Sequence, residues 1–133
     1  MSLVLVVEDE ADIRLLCRLV LEDGGHEVLE AETAEIALEV LGTALADFVP
    51  LDFMLLDIRL PGMGGWDLLG HVRDDARLRW MKVIICSAHP GPAERRRAEA
   101  EGADAFLTKP FLPEDLLGLI ELAPGPTAEV TPE

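Results

Sequence analysis

The sequence has few cysteines and no long apolar run, and each shortage excludes a class of protein. Its 133 residues include two cysteines, Cys17 and Cys86, which stand far apart without a CxxC motif or a Cys/His cluster. A disulfide framework and a zinc site are therefore unsupported, and we expect two reduced, packed thiols. The apolar run at 3–7 is stopped by Glu8-Asp9-Glu10, so it is too short for a signal peptide or a membrane span. We therefore expect a cytoplasmic protein.

Basic residues are also scarce. The chain has 11 Lys and Arg against 26 Asp and Glu, which leaves a formal net charge of -15. A charge of this sign repels phosphate backbones and anionic headgroups, so direct binding to nucleic acid or to a membrane is not expected. Half of the residues are apolar, and a chain of this length and composition forms one domain with a sizeable core.

Short apolar runs alternate with segments of helical period along the chain. This alternation is typical of βα units arranged around a parallel sheet. The runs lack polar alternation, as strands covered on both faces should. The pattern therefore predicts an α/β fold with five βα units, whose strands lie at 3–7, 26–31, 53–56, 82–86 and about 105–107.

The segments between the strands carry predictions about burial. We expect Trp66 in the core, Asp104 in solvent and an irregular loop over 42–51. The run Arg95-Arg96-Arg97, with acids beside it, indicates a solvated, self-paired helix face that could contact a partner. The first helix should bury one apolar face made of Ile13, Leu16, Cys17, Val20 and Leu21.

Polar side chains follow four of the predicted strands at their carboxyl ends, where open parallel sheets collect functional groups. If the first and third strands are adjacent, the carboxylates of Glu8, Asp9 and Asp57 share one crevice, which Ser87 and Lys109 flank. Two carboxylates ~4 Å apart repel by about 4 kcal/mol at an effective dielectric constant of about 20, so the cluster must be protonated, spread out or neutralised by a cation, of which a metal ion is the natural choice. Oxygen ligands with open positions suit Mg²⁺, which leaves Lys109 to pair with a further anion.

Four motifs at these strand ends together resemble the receiver domain of response regulators in two-component signalling. Each motif alone is weak, but four in the right order are specific, and the resemblance spans nearly the whole chain. The motifs are VVEDE at 6–10, LLDIRLPGMGG at 55–65, ICSA at 85–88 and GADAFLTKPF at 102–111.

The resemblance implies a flavodoxin-like, doubly wound (βα)5 three-layer sandwich with strand order 2-1-3-4-5. The receiver domain would occupy 1–123, and the segment 124–133, rich in Pro, Thr and Glu, would be a flexible tail or a truncated linker. Asp57 would be the phosphoacceptor, which takes a phosphoryl group from a histidine kinase or a phosphotransfer protein. Such a domain catalyses its own phosphorylation and dephosphorylation but is not otherwise an enzyme.

The resemblance also implies how the site is built. Mg²⁺ would be held by Asp57 and Asp9 directly, by Glu8 through water and by the backbone carbonyl of Arg59. Mg²⁺ and Lys109 would neutralise the charge that builds on the equatorial phosphoryl oxygens and would position the reacting groups in line. The Lys109-Pro110 bond stands where the family commonly has a cis peptide, the isomer that proline tolerates best.

Further residues of the family act on the phosphoryl group after transfer. By the resemblance, Lys109 neutralises its charge and Ser87 donates a hydrogen bond to it. Ser87 and Phe106 then form a switch that remodels the surface of the fourth helix, fifth strand and fifth helix. Phe106 lacks a phenolic hydroxyl, so this switch rests on packing alone. Arg59 and His89 would flank the path of the hydrolytic water and tune the lifetime of the phosphoryl group.

Two other functions use the same residues. One is a phosphohydrolase with an aspartyl nucleophile and Mg²⁺, although such enzymes typically carry a DxD pair after the first strand and a cap insertion. The other is a pseudo-receiver that docks to partners without phosphorylation, against which Asp9, Asp57 and Lys109 argue. For the receiver, the expected partners are the kinase or phosphotransfer protein and either a downstream protein or a missing effector domain. We expect a monomer or a weak dimer.

Overall fold

Five strands alternate with five helices in the described part of the chain, as the sequence predicts. The computed structural model describes residues 1–88 and 90–122, so the predictions on His89 and on 124–133 lie outside the described residues. Among the described helices, none combines the length and apolar character needed to cross a membrane. The elements are β1 (Leu3–Val7), α1 (Ala11–Asp23), β2 (Glu27–Ala31), α2 (Ala34–Ala46), β3 (Phe53–Asp57), α3 (Gly65–Asp74), β4 (Lys82–Ala88), α4 (Pro92–Ala100), β5 (Ala105–Lys109) and α5 (Pro113–Leu122).

The strands form one parallel sheet in the order β2-β1-β3-β4-β5. This confirms the predicted doubly wound fold. Every residue of β3 is buried, and β1 is buried from Val4 to Val7, because helices cover both faces of these central strands. Their apolar runs therefore specify the middle of the sheet and leave polar residues for its carboxyl edge.

Two apolar clusters, one on each face of the sheet, make the fold a three-layer sandwich. One cluster lies under α2 and α3, and the other lies under α1 and α5. Cys17 and Cys86 are free, buried thiols in the second cluster. Burial raises the pKa of both thiols to about 12, so they are inert packing groups, as predicted.

The first helix buries a narrower face than its sequence predicts. Its buried side chains are Cys17, Val20 and Leu21, which form a stripe at the spacing of helical neighbours. The prediction for Leu16 is wrong, because its side chain is 44% exposed. Leu16 lies beside the stripe, about 100° of helical rotation from Cys17, where neither the sheet nor α5 covers it.

The second helix is longer than predicted and shortens the following loop. It continues through Gly42 to Ala46 and is capped at its C-terminus by Asp47, so the expectation of a loop over 42–51 is wrong at its start. Leu41 and Ala44 are both buried, which extends the apolar stripe past the glycine. Packing against the sheet therefore overrides the low helix propensity of Gly42.

Two further burial predictions are corrected by contacts with arginines. Trp66 packs against the core cluster under α2 and α3, as predicted, but is only half-buried, and the guanidinium of Arg97 lies 4.3 Å from its ring centroid. Asp104 is not a solvated acid. Its Oδ2 accepts hydrogen bonds from Arg73 Nη2 and from the backbone N–H of Val83, both at 2.8 Å. Asp104 therefore fastens the start of β5 to α3 and β4.

Candidate functional site

The lysine at the end of β5 reaches back across the sheet to two buried acids. The register pairs Val7 with Leu56, which brings the next residues, Glu8 and Asp57, side by side. Lys109 Nζ donates to Glu8 Oε1 at 2.6 Å and to Asp57 Oδ2 at 3.1 Å. The structure thus brings together three of the sequence-predicted site residues, of which Glu8 directly follows β1, Asp57 ends β3 and Lys109 ends β5.

Asp9 completes an acidic cluster that could hold a metal ion. One carboxylate oxygen each from Glu8, Asp9 and Asp57 lies within 4.8 Å of the others. Glu8 and Asp57 are buried, whereas Asp9 is exposed, so the cluster opens to solvent on one side. An all-oxygen set with an open side fits a hard divalent cation that keeps part of its water shell.

Burial and charge act against each other at this cluster. Burial raises the pKa of Glu8 to about 7, the hydrogen bond from Lys109 opposes the rise, and repulsion from Asp57 adds to it. Burial alone would lower the pKa of Lys109, but the hydrogen bond and charge of Glu8 and the charge of Asp57 raise it above its usual value. Lys109 therefore stays an ammonium ion, and its one positive charge faces the carboxylates of Glu8, Asp9 and Asp57, an excess of acid that favours a second cation.

Backbone hydrogen bonds fix the acids in place. The N–H of Arg59 donates to Asp57 Oδ1 at 3.0 Å, and that of Glu10 donates to Glu8 Oε2 at 3.1 Å. Arg14 Nη1 donates to the carbonyl of Glu8 at 2.9 Å, a contact that no motif in the sequence indicates. These bonds hold the carboxylates toward the crevice.

Gly65 allows α3 to begin against the end of β3. A Cβ at this position would lie 2.8 Å from the carbonyl oxygen of Asp57 and 2.8 Å from Ile58 Cα. Both neighbours are backbone atoms, so any side chain would displace the segment that carries Asp57. The second glycine of the Gly64-Gly65 pair is therefore required by this close approach.

Ser87 directly follows Cys86, the residue that pairs with Asp57 in the sheet, but its hydroxyl is hydrogen-bonded to α4. The residue is 1% exposed, and its Oγ donates to the Glu94 carboxylate on the first turn of α4. The other Glu94 oxygen lies 3.9 Å from Arg59 Nη2. The sequence motifs do not identify Glu94 as a site residue. The one feature that could have indicated it is the position of an acid in the first turn of a predicted helix, seven residues after Ser87.

Phe106 is half-buried under the same turn of α4. The Arg95 guanidinium lies 4.8 Å from its ring centroid, and Arg95 Nη2 donates to Thr108 Oγ1 at 3.0 Å. The predicted self-paired arginine face is therefore only partly present. Arg97 does pair with Glu101 one turn later, whereas Arg95 contacts β5.

The Lys109-Pro110 peptide is cis, as the resemblance implies.

A parallel sheet with an acid pair after β1, an acid ending β3 and a lysine ending β5 defines the receiver class of signalling domains. The family model for the response regulator receiver domain matches residues 4–121. The chain therefore belongs to this family, which confirms the resemblance seen in the four motifs.

The chain is similar to proteins of several bacteria. It is 36% identical over 118 residues to the phosphate regulon transcriptional regulatory protein PhoB of Escherichia coli (strain K12), covering 89% of this chain and 49% of that protein. It is 36% identical over 125 residues to the transcriptional regulatory protein KdpE of Mycobacterium tuberculosis (strain H37Rv), covering 92% and 51%. The chain thus spans about half the length of these curated relatives.

Solved structures show the same architecture. The chemotaxis response regulator CheY4 of Vibrio cholerae superposes with a TM-score of 0.80 at 30% sequence identity, over 92% of this chain and 98% of that one. The five-stranded order 2-1-3-4-5 is therefore the CheY-like fold of this family.

Two substitutions should move the pKa of Glu8 in opposite directions. Lys109→Met removes a hydrogen bond and a positive charge, so we expect the pKa of Glu8 to rise above about 7. Asp57→Asn removes a neighbouring negative charge, so the pKa of Glu8 should fall. Carboxyl ¹³C shifts followed against pH measure both effects. Shifts in the same direction for both variants would contradict the electrostatic description of the cluster.

Proposed function

We propose that this domain accepts a phosphoryl group on Asp57 from a phosphohistidine donor. An Asp57 carboxylate oxygen attacks the phosphorus, the P–N bond to the donor imidazole breaks, and an acyl phosphate forms. The observation that supports this most is the Lys109 ammonium hydrogen-bonded to both Glu8 and Asp57 beside Asp9. The nucleophile thus already lies beside a fixed positive charge.

The chain's own residues would neutralise and align the incoming group. The Lys109 ammonium would balance charge that builds on the phosphoryl oxygens, while the backbone N–H of Arg59 keeps the Asp57 carboxylate oriented. Asp9, Asp57 and the Arg59 carbonyl would hold Mg²⁺, with Glu8 acting through water. When bound, the ion supplies further charge neutralisation and a template for in-line transfer.

The switch is proposed to run through Ser87 and Phe106. The Ser87 hydroxyl would donate to a phosphoryl oxygen, and the Phe106 ring would turn inward into the space behind Ser87. Because Phe106 already lies half-buried beneath α4, this movement would change the surface of α4, β5 and α5. A downstream protein or an effector domain would read that surface.

The partners follow from the same proposal. The phosphoryl donor would be a histidine kinase or a phosphotransfer protein, and the strong net charge of -15 favours basic docking surfaces over nucleic acid or a membrane. We propose a cytoplasmic monomer or weak dimer that catalyses its own phosphorylation and dephosphorylation.

The Arg59 side chain is proposed to slow hydrolysis of the acyl phosphate. It is 65% exposed at the mouth of the crevice, where it would obstruct the approach of water. His89, which lies outside the described residues, is proposed to tune the same lifetime, either by slowing or redirecting the hydrolytic water or by assisting it. The half-life of the labelled protein should therefore shorten in Arg59→Ala, with Arg79→Ala as an exposed-arginine control. Equal half-lives in Arg59→Ala and the wild type would contradict this role.

Phosphorylation of the whole chain tests the proposed function. Incubation with Mg²⁺ and phosphoramidate should add one acid-stable, base-labile phosphoryl group, seen by intact mass. Asp57→Asn should abolish the label, whereas Asp67→Asn, a change of an exposed acid on α3, should leave it intact.

Two other results would point to the competing functions. Repeated turnover of small phosphate esters would indicate an aspartyl-phosphate hydrolase. A wild-type chain that takes no label from phosphoramidate or from a phosphohistidine donor would indicate a phosphorylation-independent docking module. Either result would contradict the receiver function proposed for Asp57.

A further inference from the structure

Two consecutive residues on the first turn of α4 hold the residues of the proposed switch. Glu94 accepts the hydrogen bond of the Ser87 hydroxyl, and Arg95 covers the Phe106 ring. We propose that Glu94 is a positioning residue that keeps the Ser87 hydroxyl from the phosphoryl site and thereby weakens phosphoryl binding. This inference rests on the proposed function and assigns a regulatory residue to it.

The hydrogen-bonding capacity of Ser87 makes the two states exclusive. A hydroxyl carries one proton, and Ser87 is 1% exposed, so water does not readily replace its partner. The alternative acceptor, the Ala88 carbonyl, lies at 3.3 Å, and a hydrogen bond to a carboxylate is about twice as strong as a neutral one. Ser87 must therefore leave Glu94 before it donates to a phosphoryl oxygen.

The surroundings of Glu94 make Ser87 its principal partner. The Glu94 side chain is 21% exposed, and the Arg59 guanidinium near its second oxygen is 65% exposed and 3.9 Å away. An ion pair this long and this exposed contributes little. The bond to the buried Ser87 therefore fixes the carboxylate, and Arg59 only partly offsets its charge.

Charge repulsion would act in the same direction as this competition. Glu94 adds a carboxylate on the Ser87 side of a crevice that already contains Glu8, Asp9 and Asp57. A phosphoryl group entering the crevice would meet this further negative charge. Only the competition for the hydroxyl proton depends on Ser87, so the two effects are separable by experiment.

Arg95 links the second switch residue to the same turn. Its guanidinium lies over Phe106 and donates to Thr108 Oγ1, so the ring is covered from the α4 side. Since Glu94 and Arg95 are adjacent, movement of this one turn would release both Ser87 and Phe106. The first turn of α4 is thus the element that both switch residues share.

A double-mutant cycle on the full chain tests the role of Glu94. The probe is trifluoroberyllate, a phosphoryl mimic, titrated at fixed Mg²⁺ and followed by isothermal calorimetry. Glu94→Ala should lower the dissociation constant by about tenfold, or about 1.4 kcal/mol. Glu99→Ala, which removes an exposed acid from the same helix, should leave it unchanged. In a Ser87→Ala background, the Glu94→Ala effect should fall below about threefold.

Each other outcome overturns the inference. An equal effect of Glu94→Ala with and without Ser87 would mean that Glu94 acts on the anion directly. No effect in either background would mean that the Ser87–Glu94 bond does not oppose binding. Under the inference itself, we expect Glu94→Gln, which keeps the size of the side chain, to lower the dissociation constant for trifluoroberyllate as well, but by less than Glu94→Ala does. If the wild type binds no trifluoroberyllate, the proposed function fails and this inference fails with it.

Discussion

The ammonium group of Lys109 is the interaction on which the site depends. It is the one side-chain cation that the structure, over 1–88 and 90–122, places in hydrogen-bonding contact with both Glu8 and Asp57. Two buried carboxylates without it would repel each other in a region of low polarity. A single lysine does not balance the charge of the site, because Asp9 adds a third carboxylate beside Glu8 and Asp57. The remaining negative charge of the site therefore favours binding of a further cation.

The fold places these groups without any long polar segment in the core. The strand β1 is apolar along its buried length, β3 is apolar as far as its last residue, Asp57, and both end at the same edge of the sheet. Lys109 comes from β5, with β4 between it and β3, so its long side chain spans the intervening strand. The backbone at the end of β3 approaches Gly65 closely, which fixes the direction of Asp57.

Most of the fold and the charged cluster could be predicted from the sequence, since both depend on patterns that a chain displays directly. Apolar runs identified the strands, and the acids and lysine followed them at fixed positions. The exposure of Leu16 and the helical state of Gly42 could not be predicted, because they depend on how much of each helix the sheet covers. Glu94 and Arg95 were missed for a similar reason: their contacts depend on the angle at which α4 lies over β4 and β5.

Crystals grown with Mn²⁺ test the central claim most directly, because Mn²⁺ accepts the same oxygen ligands as Mg²⁺ and scatters X-rays anomalously. We expect one strong anomalous peak within coordination distance of the Asp9 and Asp57 carboxylates, with Lys109 Nζ still hydrogen-bonded on the far side of Asp57. A crevice without a peak at saturating Mn²⁺, or a peak bound only by other acids, would contradict it.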